Sequence, residues 1–106
     1  MKKYEIVKEH KEFDDILTNG SYYKNNYYII YNKDSNYNFP RFGIAAGKKL
    51  GNAVIRNKIK RQVRMIISSN KNLFKNNKDY IIIVKKAFLD IDYETKNNEF
   101  VKLLEK

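Results

Sequence analysis

The run Tyr80-Ile81-Ile82-Ile83-Val84, set between Lys78-Asp79 and Lys85-Lys86, restricts the fold more than any other segment. It has the length of a strand and lacks the polar alternation of a strand with one face in water, so it reads as a strand covered on both faces. A strand of that kind belongs in a sheet with helices packed on it.

The flanking segments supply those partners. In residues 9–18 the apolar side chains Phe13, Ile16 and Leu17 fall at i, i+3 and i+4, and Asn19-Gly20 follows as a stop signal, so a short amphipathic helix is expected. The stretch YYKNNYYIIY (residues 22–31) is aromatic and β-branched, with a break expected at Asn25-Asn26 and a strand over residues 27–31. NKDSNYNFP then reads as a loop. RFGIAAG, residues 41–47, reads as a further strand whose small residues allow close approach of another backbone or a ligand. Asn52 and Asp92 are placed to cap two later helices, the second with Tyr93, Asn97, Phe100 and Leu104 along one side. The order helix, two or three strands, helix, strand, helix predicts an α+β fold, a two-layer α/β sandwich with about four strands. At 106 residues, with neither repeats nor a linker, the chain is expected to form one domain over residues 1–106 and to bury about two-thirds of its unfolded surface.

Charge is distributed unevenly. Residues 35–78 hold eleven of the 22 Lys and Arg residues and none of the 12 acids, so that segment carries +11 and the rest of the chain −1. Solubility alone is served by interspersed signs; a one-signed block directs a field at a polyanion, with nucleic acid the first choice and a membrane surface the second. Cysteine is absent and His10 is the single histidine, which rules out disulfides and argues against a closed zinc site. No apolar run has the length of a signal peptide's core or of a membrane span, so a cytoplasmic protein without a membrane partner is expected.

The basic block centres on LGNAVIRNKIKRQVRMI, residues 50–66. Stepping about 100° per residue from Ile55 brings Ile66, Ile59 and Val63 to about 20°, 40° and 80°, the expected core stripe. Arg56, Lys60, Arg64, Asn57 and Arg61 follow between about 100° and 240°, away from that stripe, while Lys58 lies near the opposite margin. A polar back is normal for such a helix, but its uniform sign is not. Cations at i and i+4 repel, and no glutamate relieves Arg56, Lys60 and Arg64. Phosphates would relieve them, through counterion release and bidentate contacts from arginine.

KKLGNAVIRNKIKRQVR, residues 48–64, resembles the signature segment of the bacterial ribonuclease P protein subunit, K-x-x-G-N-A-V-x-R-N-R-x-K-R-x-x-R. The matching positions are Lys48, Gly51, Asn52, Ala53, Val54, Arg56, Asn57, Lys60, Arg61 and Arg64. EFDDILTNG, DYIIIVKK and YETKNNEFVKLL resemble the family's first helix, last strand and terminal helix. The resemblance implies a left-handed strand-helix-strand crossover, against the general rule. It also implies a noncatalytic subunit of a ribonucleoprotein, one protein per RNA, that removes the 5′ leader from precursor tRNA, a catalytic RNA with Mg2+ performing the hydrolysis. Carried over by position, Lys48, Lys49, Arg56, Asn57, Lys58, Lys60, Arg61 and Arg64 would meet the catalytic RNA. Lys58 replaces the family's arginine and loses its planar fork. Phe13, Leu17, Ile29 and Tyr31 would line a separate cleft for the leader, where a single strand of variable sequence is best held by stacking beside positive charge. Leu17 stands where the family often has a second aromatic; it reads more readily as a seal between helix and sheet than as a leader contact, with Tyr27 a substitute platform.

Other chemistry is poorly supported. Gly43, Gly47 and Lys48-Lys49 have the wrong spacing for a phosphate loop, and no Ser or Thr follows the lysine. His10, beside Glu9, Glu12 and Asp14, reads as a solvated side chain on a charged helix rather than the base of a stand-alone nuclease. Asp90, Asp92 and Glu94 could gather a magnesium ion but read equally as a turn and a cap. The rival binding reading is a ribosomal or nucleoid protein using the same basic helix.

Overall fold

The computed structural model describes residues 5–7 and 9–105. Among them are three helices, α1 (His10–Asn19), α2 (Ala53–Ser69) and α3 (Tyr93–Leu104), and four strands, β1 (Ser21–Lys24), β2 (Tyr28–Asp34), β3 (Arg41–Ala45) and β4 (Lys78–Val84). The strands form one mixed sheet in the order β1-β2-β4-β3, as the α+β reading requires. The apolar strand β4 is central, antiparallel to β2 and parallel to β3. Adjacent parallel strands cannot be joined by a hairpin, and α2 makes the crossover between them.

Both faces of β4 are covered, because successive side chains point to opposite sides. On one face Tyr80 and Ile82 join Tyr28, Ile30 and Phe42, under Ile59, Val63, Ile66 and Ile67 of α2 and Phe100 and Leu103 of α3. Aromatic edges lock this core: Phe74 meets Phe42 and Tyr80 at centroid distances of 4.7 and 4.9 Å. The Tyr28 hydroxyl donates to the Lys96 carbonyl at 2.8 Å, and burial pushes its phenol above the ordinary range. On the other face Ile81 packs against Ile16 of α1 and Val7, flanked by Phe13, Leu17, Tyr31 and Ile83. The main sandwich is therefore sheet against α2 and α3, while the short α1 lies across the reverse face. It leaves Ile29, Ala45 and Ile83 partly exposed.

Ion pairs fix α1 in that position. Arg41 of β3 donates to Asp79 of β4 at 2.6 and 2.9 Å and to Glu12 of α1 at 2.6 Å. Lys33 of β2 pairs with Asp15 of α1. At the end of α1, Gly20 comes so close to β2 that a Cβ there would stand 2.5 Å from the Asn32 carbonyl oxygen.

Three local expectations are corrected. The loop begins later than its composition implied, because Asn32, Lys33 and Asp34 continue the β2 ladder opposite Tyr80, Asp79 and Lys78. Pairing with a central strand outweighs their weak strand preference. In α3, capped as expected by Asp92 accepting from the Thr95 N–H at 2.9 Å, Leu103 enters the core while Tyr93 stays exposed. In α2 the core arc is rotated: Ile67, at about 120° on the wheel, is buried and Ile55 is 41% exposed. The helix rests on the sheet along the line of Val63, and Ile55 folds back over Gly51 instead.

Candidate nucleic-acid interface

The basic helix is prepared by its entry turn. Leu50 is buried and anchors a 3-10 turn, Lys48–Leu50, whose two lysines remain exposed. Gly51 follows at φ 142°, a conformation that L side chains rarely adopt, and Asn52 accepts from the Ile55 N–H at 3.0 Å to cap α2. The signature glycine and asparagine thus turn the chain and start the helix.

Along α2, Asn57, Lys58, Arg61 and Arg64 are exposed, while Arg56 and Lys60 are half-buried. Among the described residues, no carboxylate forms an ion pair with Lys48, Lys49, Arg56, Lys58, Lys60, Arg61 or Arg64. The contrast lies within the same basic block, since Arg41, Lys71 and Lys78 are each paired with an acid. Arg56 departs from the outward position expected of it. The rotated core arc draws it inward, and its Nε is buried without a hydrogen-bond partner. Lys58 lies on the far flank, beside Gln62, Phe88 and Lys96. There burial, and secondarily the Lys58 charge, hold the Lys96 ammonium below its usual range.

The other flank of α2 meets the reverse face of the sheet. Lys60 and Arg64 line a cavity of about 140 Å³ together with Phe13 of α1 and Phe42, Gly43 and Ile44 of β3. The basic helix and α1 therefore both wall this cavity. Gly43 makes this possible: a Cβ there would meet Phe13 Cε2 at 2.8 Å, so the missing side chain lets the aromatic ring settle on the sheet.

From that point two rows of residues cross the reverse face of the sheet, the first passing beneath α1 at Ile81. Gly43 pairs with Ile81, Ile81 with Tyr31, and Tyr31 with Tyr22, in one row across the sheet. The next row on the same face is Ala45, Ile83, Ile29 and Lys24. The structure thus brings Phe13, Leu17, Ile29 and Tyr31 to one face. Leu17 packs with Ile16 and Ile81 as a seal. Tyr27 packs instead against the core on the opposite face and supplies no platform here. Tyr22, which sequence reasoning passed over, stands on the same face as Tyr31: it is 52% exposed, and its ring lies 5.2 Å from that of Tyr31. Treating residues 21–31 as a two-strand hairpin, with Asn25-Asn26 at its turn, would have paired these tyrosines.

His10 stands in solvent, its Nδ1 3.0 Å from Asp14 Oδ2 and its side chain 92% exposed, as expected of a solvated residue. Among the described residues no group of three metal-ligating side chains converges, and no helix is long and apolar enough to cross a membrane.

Known proteins resemble this chain in both sequence and fold. The family model for ribonuclease P matches residues 1–106. The ribonuclease P protein component of Mycoplasma mycoides is 42% identical over 105 residues, covering 98% of this chain and 96% of its own. That of Streptococcus mutans is 34% identical, covering 98% and 87%. Among solved structures, the Staphylococcus aureus RNase P protein superposes with a TM-score of 0.88 at 30% identity, covering 95% of this chain and 93% of that one. The Thermotoga maritima RNase P protein gives 0.86 at 29% identity, covering 94% of each. Full-length agreement in sequence, together with the same sheet and helices, places the chain in the ribonuclease P protein family.

Proposed function

We propose that this chain is the RNA-binding protein subunit of a cytoplasmic ribonuclease P, which removes the 5′ leader of precursor tRNA by endonucleolytic cleavage. The catalytic RNA, with its own magnesium ions, supplies the chemistry; the protein docks on that RNA, one copy to each, and grips the leader. The observation that carries this reading is the line of α2 cations without an acidic partner among the described residues, two of which, Lys60 and Arg64, share a cavity with Phe13.

Docking uses Lys48, Lys49, Asn57, Arg61 and Arg64, the exposed groups of the entry turn and helix back, with Arg56 and Lys60 at the inner edge. Each phosphate they neutralise releases condensed counterion, so affinity falls steeply with salt. The half-buried Arg56 guanidinium retains unsatisfied donor capacity beside that surface. Lys58, on the opposite flank, meets a different part of the RNA. The leader lies over the open part of the reverse face, stacking on Phe13 and Tyr31 above Ile29, with its phosphates near Lys60 and Arg64 at the junction with the catalytic RNA.

The test is reconstitution with a cognate catalytic RNA and precursor tRNA. The protein is expected to lower the magnesium or salt needed for cleavage at the 5′ end of the mature tRNA. Cleavage unaffected by added protein would overturn the reading, and cleavage by protein alone that disappeared in His10→Ala would favour a stand-alone nuclease.

A further inference from the structure

We infer that the leader cleft continues onto the edge strand β1, where Tyr22 and Lys24 form an additional subsite for single-stranded RNA. This rests on the reading of the open sheet face as the leader site.

All four residues of β1 are exposed, so the strand widens the sheet with its side chains open to solvent. Tyr22 and Lys24, two apart, point to the same side as Tyr31 and Ile29, the residues directly opposite them. The Tyr22 ring is tilted 37° from that of Tyr31 at 5.2 Å, a contact that braces it from the neighbouring strand and leaves about half of the residue open. An exposed ring backed by a second ring offers a base a flat surface whose position is already set. Lys24 lies beside it with no carboxylate partner among the described residues, placed for a backbone phosphate.

Distance makes this subsite separate from the one at Phe13. From Gly43, where Phe13 sits, to Tyr22 the row crosses three strand spacings, about 14 Å at ~4.8 Å each. A strand of RNA that stacks on Phe13 must therefore extend by more than one further nucleotide before it reaches Tyr22. The subsite offers stacking without hydrogen-bonding groups aimed at base edges, so it selects for single-stranded length rather than sequence. It also compensates for Leu17, which presents no ring.

The experiment measures affinity of the reconstituted holoenzyme for precursor tRNAs whose leaders increase in length one nucleotide at a time. Tyr22→Ala should leave short-leader substrates unaffected and weaken long-leader substrates about tenfold, the break falling more than one nucleotide beyond the cleavage site. Tyr22→Phe should retain the long-leader affinity. Lys24→Ala should reduce the salt slope by about 0.7 for long leaders only. A Tyr22→Ala loss equal at every leader length, or no loss at any, would overturn the subsite. Phe13→Ala separates the two levels: if it lowers leader-dependent affinity while Tyr22→Ala does not, only the extension fails. If neither does, the leader reading fails with it.

Discussion

The ring of Phe13 rests on Gly43, so closely that a Cβ on the glycine would stand 2.8 Å from Phe13 Cε2. This contact joins α1 to β3 at the place where Lys60 and Arg64 arrive from α2. Gly43→Ala is expected to push the ring outward, destabilising the fold by about 1 kcal/mol and weakening affinity for precursor tRNA but not for mature tRNA. In a Phe13→Ala background the stability effect should largely vanish. A double-mutant cycle by chemical denaturation checks the coupling, and simple additivity would show that the ring does not depend on the missing side chain.

The cations of α2 differ in position, and their substitutions should differ accordingly. Arg61→Ala and Arg64→Ala are expected to weaken binding to the catalytic RNA and to lower the slope of log affinity against log salt by roughly 0.7–0.9 for each phosphate that is no longer neutralised. Arg56→Ala should weaken binding as well. Arg56→Lys should restore the charge but only part of the affinity, because it lacks the guanidinium's fork. Filter binding across a salt series separates these cases. Unchanged slopes would remove α2 from the docking surface.

Arg41 is basic by composition but structural by position. It is buried between Asp79 and Glu12, lies 4.2 Å from the centre of the Tyr37 ring, and is held even more firmly protonated than usual, chiefly by its hydrogen bond with Asp79. Arg41→Ala should lower stability by about 3–5 kcal/mol, since it leaves the buried Asp79 carboxylate unpaired. Joint replacement, Arg41→Met with Asp79→Leu, should recover much of that loss in denaturant unfolding. A small loss for Arg41→Ala alone would mean that water reaches the carboxylate.

Acid should weaken the fold through two carboxylates on helices. Hydrogen bonds from Lys33 and Asn19 hold Asp15 below its ordinary value, and the bond from Thr95 does the same for Asp92 at the start of α3. A carboxyl with a lowered folded-state value contributes fully above the ordinary value of 3.8, and that contribution disappears as the pH falls through the folded value. Melting temperature should therefore fall below about pH 4. An Asp15→Asn, Asp92→Asn variant should show a shallower fall, because asparagine caps a helix without titrating. Parallel acid profiles would assign the effect to other groups.

Much of the molecule was legible along the chain because its signals are local. The capping residues Asn52 and Asp92, the uninterrupted Tyr80–Val84 run and the two-sided character of α2 each depend on neighbours within a few positions. The signature over residues 48–64 carried the family with it. Even so, the wheel placed Ile55 in the core and Arg56 outside it. Periodicity defines an apolar side only to within the width of one residue, and the line of contact with the sheet decides the rest.

Sequence by itself determined which segments become strands or helices, where the positive charge concentrates, and which family the chain resembles. Tertiary structure alone decided that β4 lies between β2 and β3, that Arg41 is consumed by Asp79 and Glu12, that Phe13 shares a cavity with Lys60 and Arg64, and that Tyr22 meets Tyr31. These relationships join residues from separate elements, and they arise from strand register and from packing that satisfies several elements at once. No single segment contains that information, because its energy exists only when distant parts of the chain have come together.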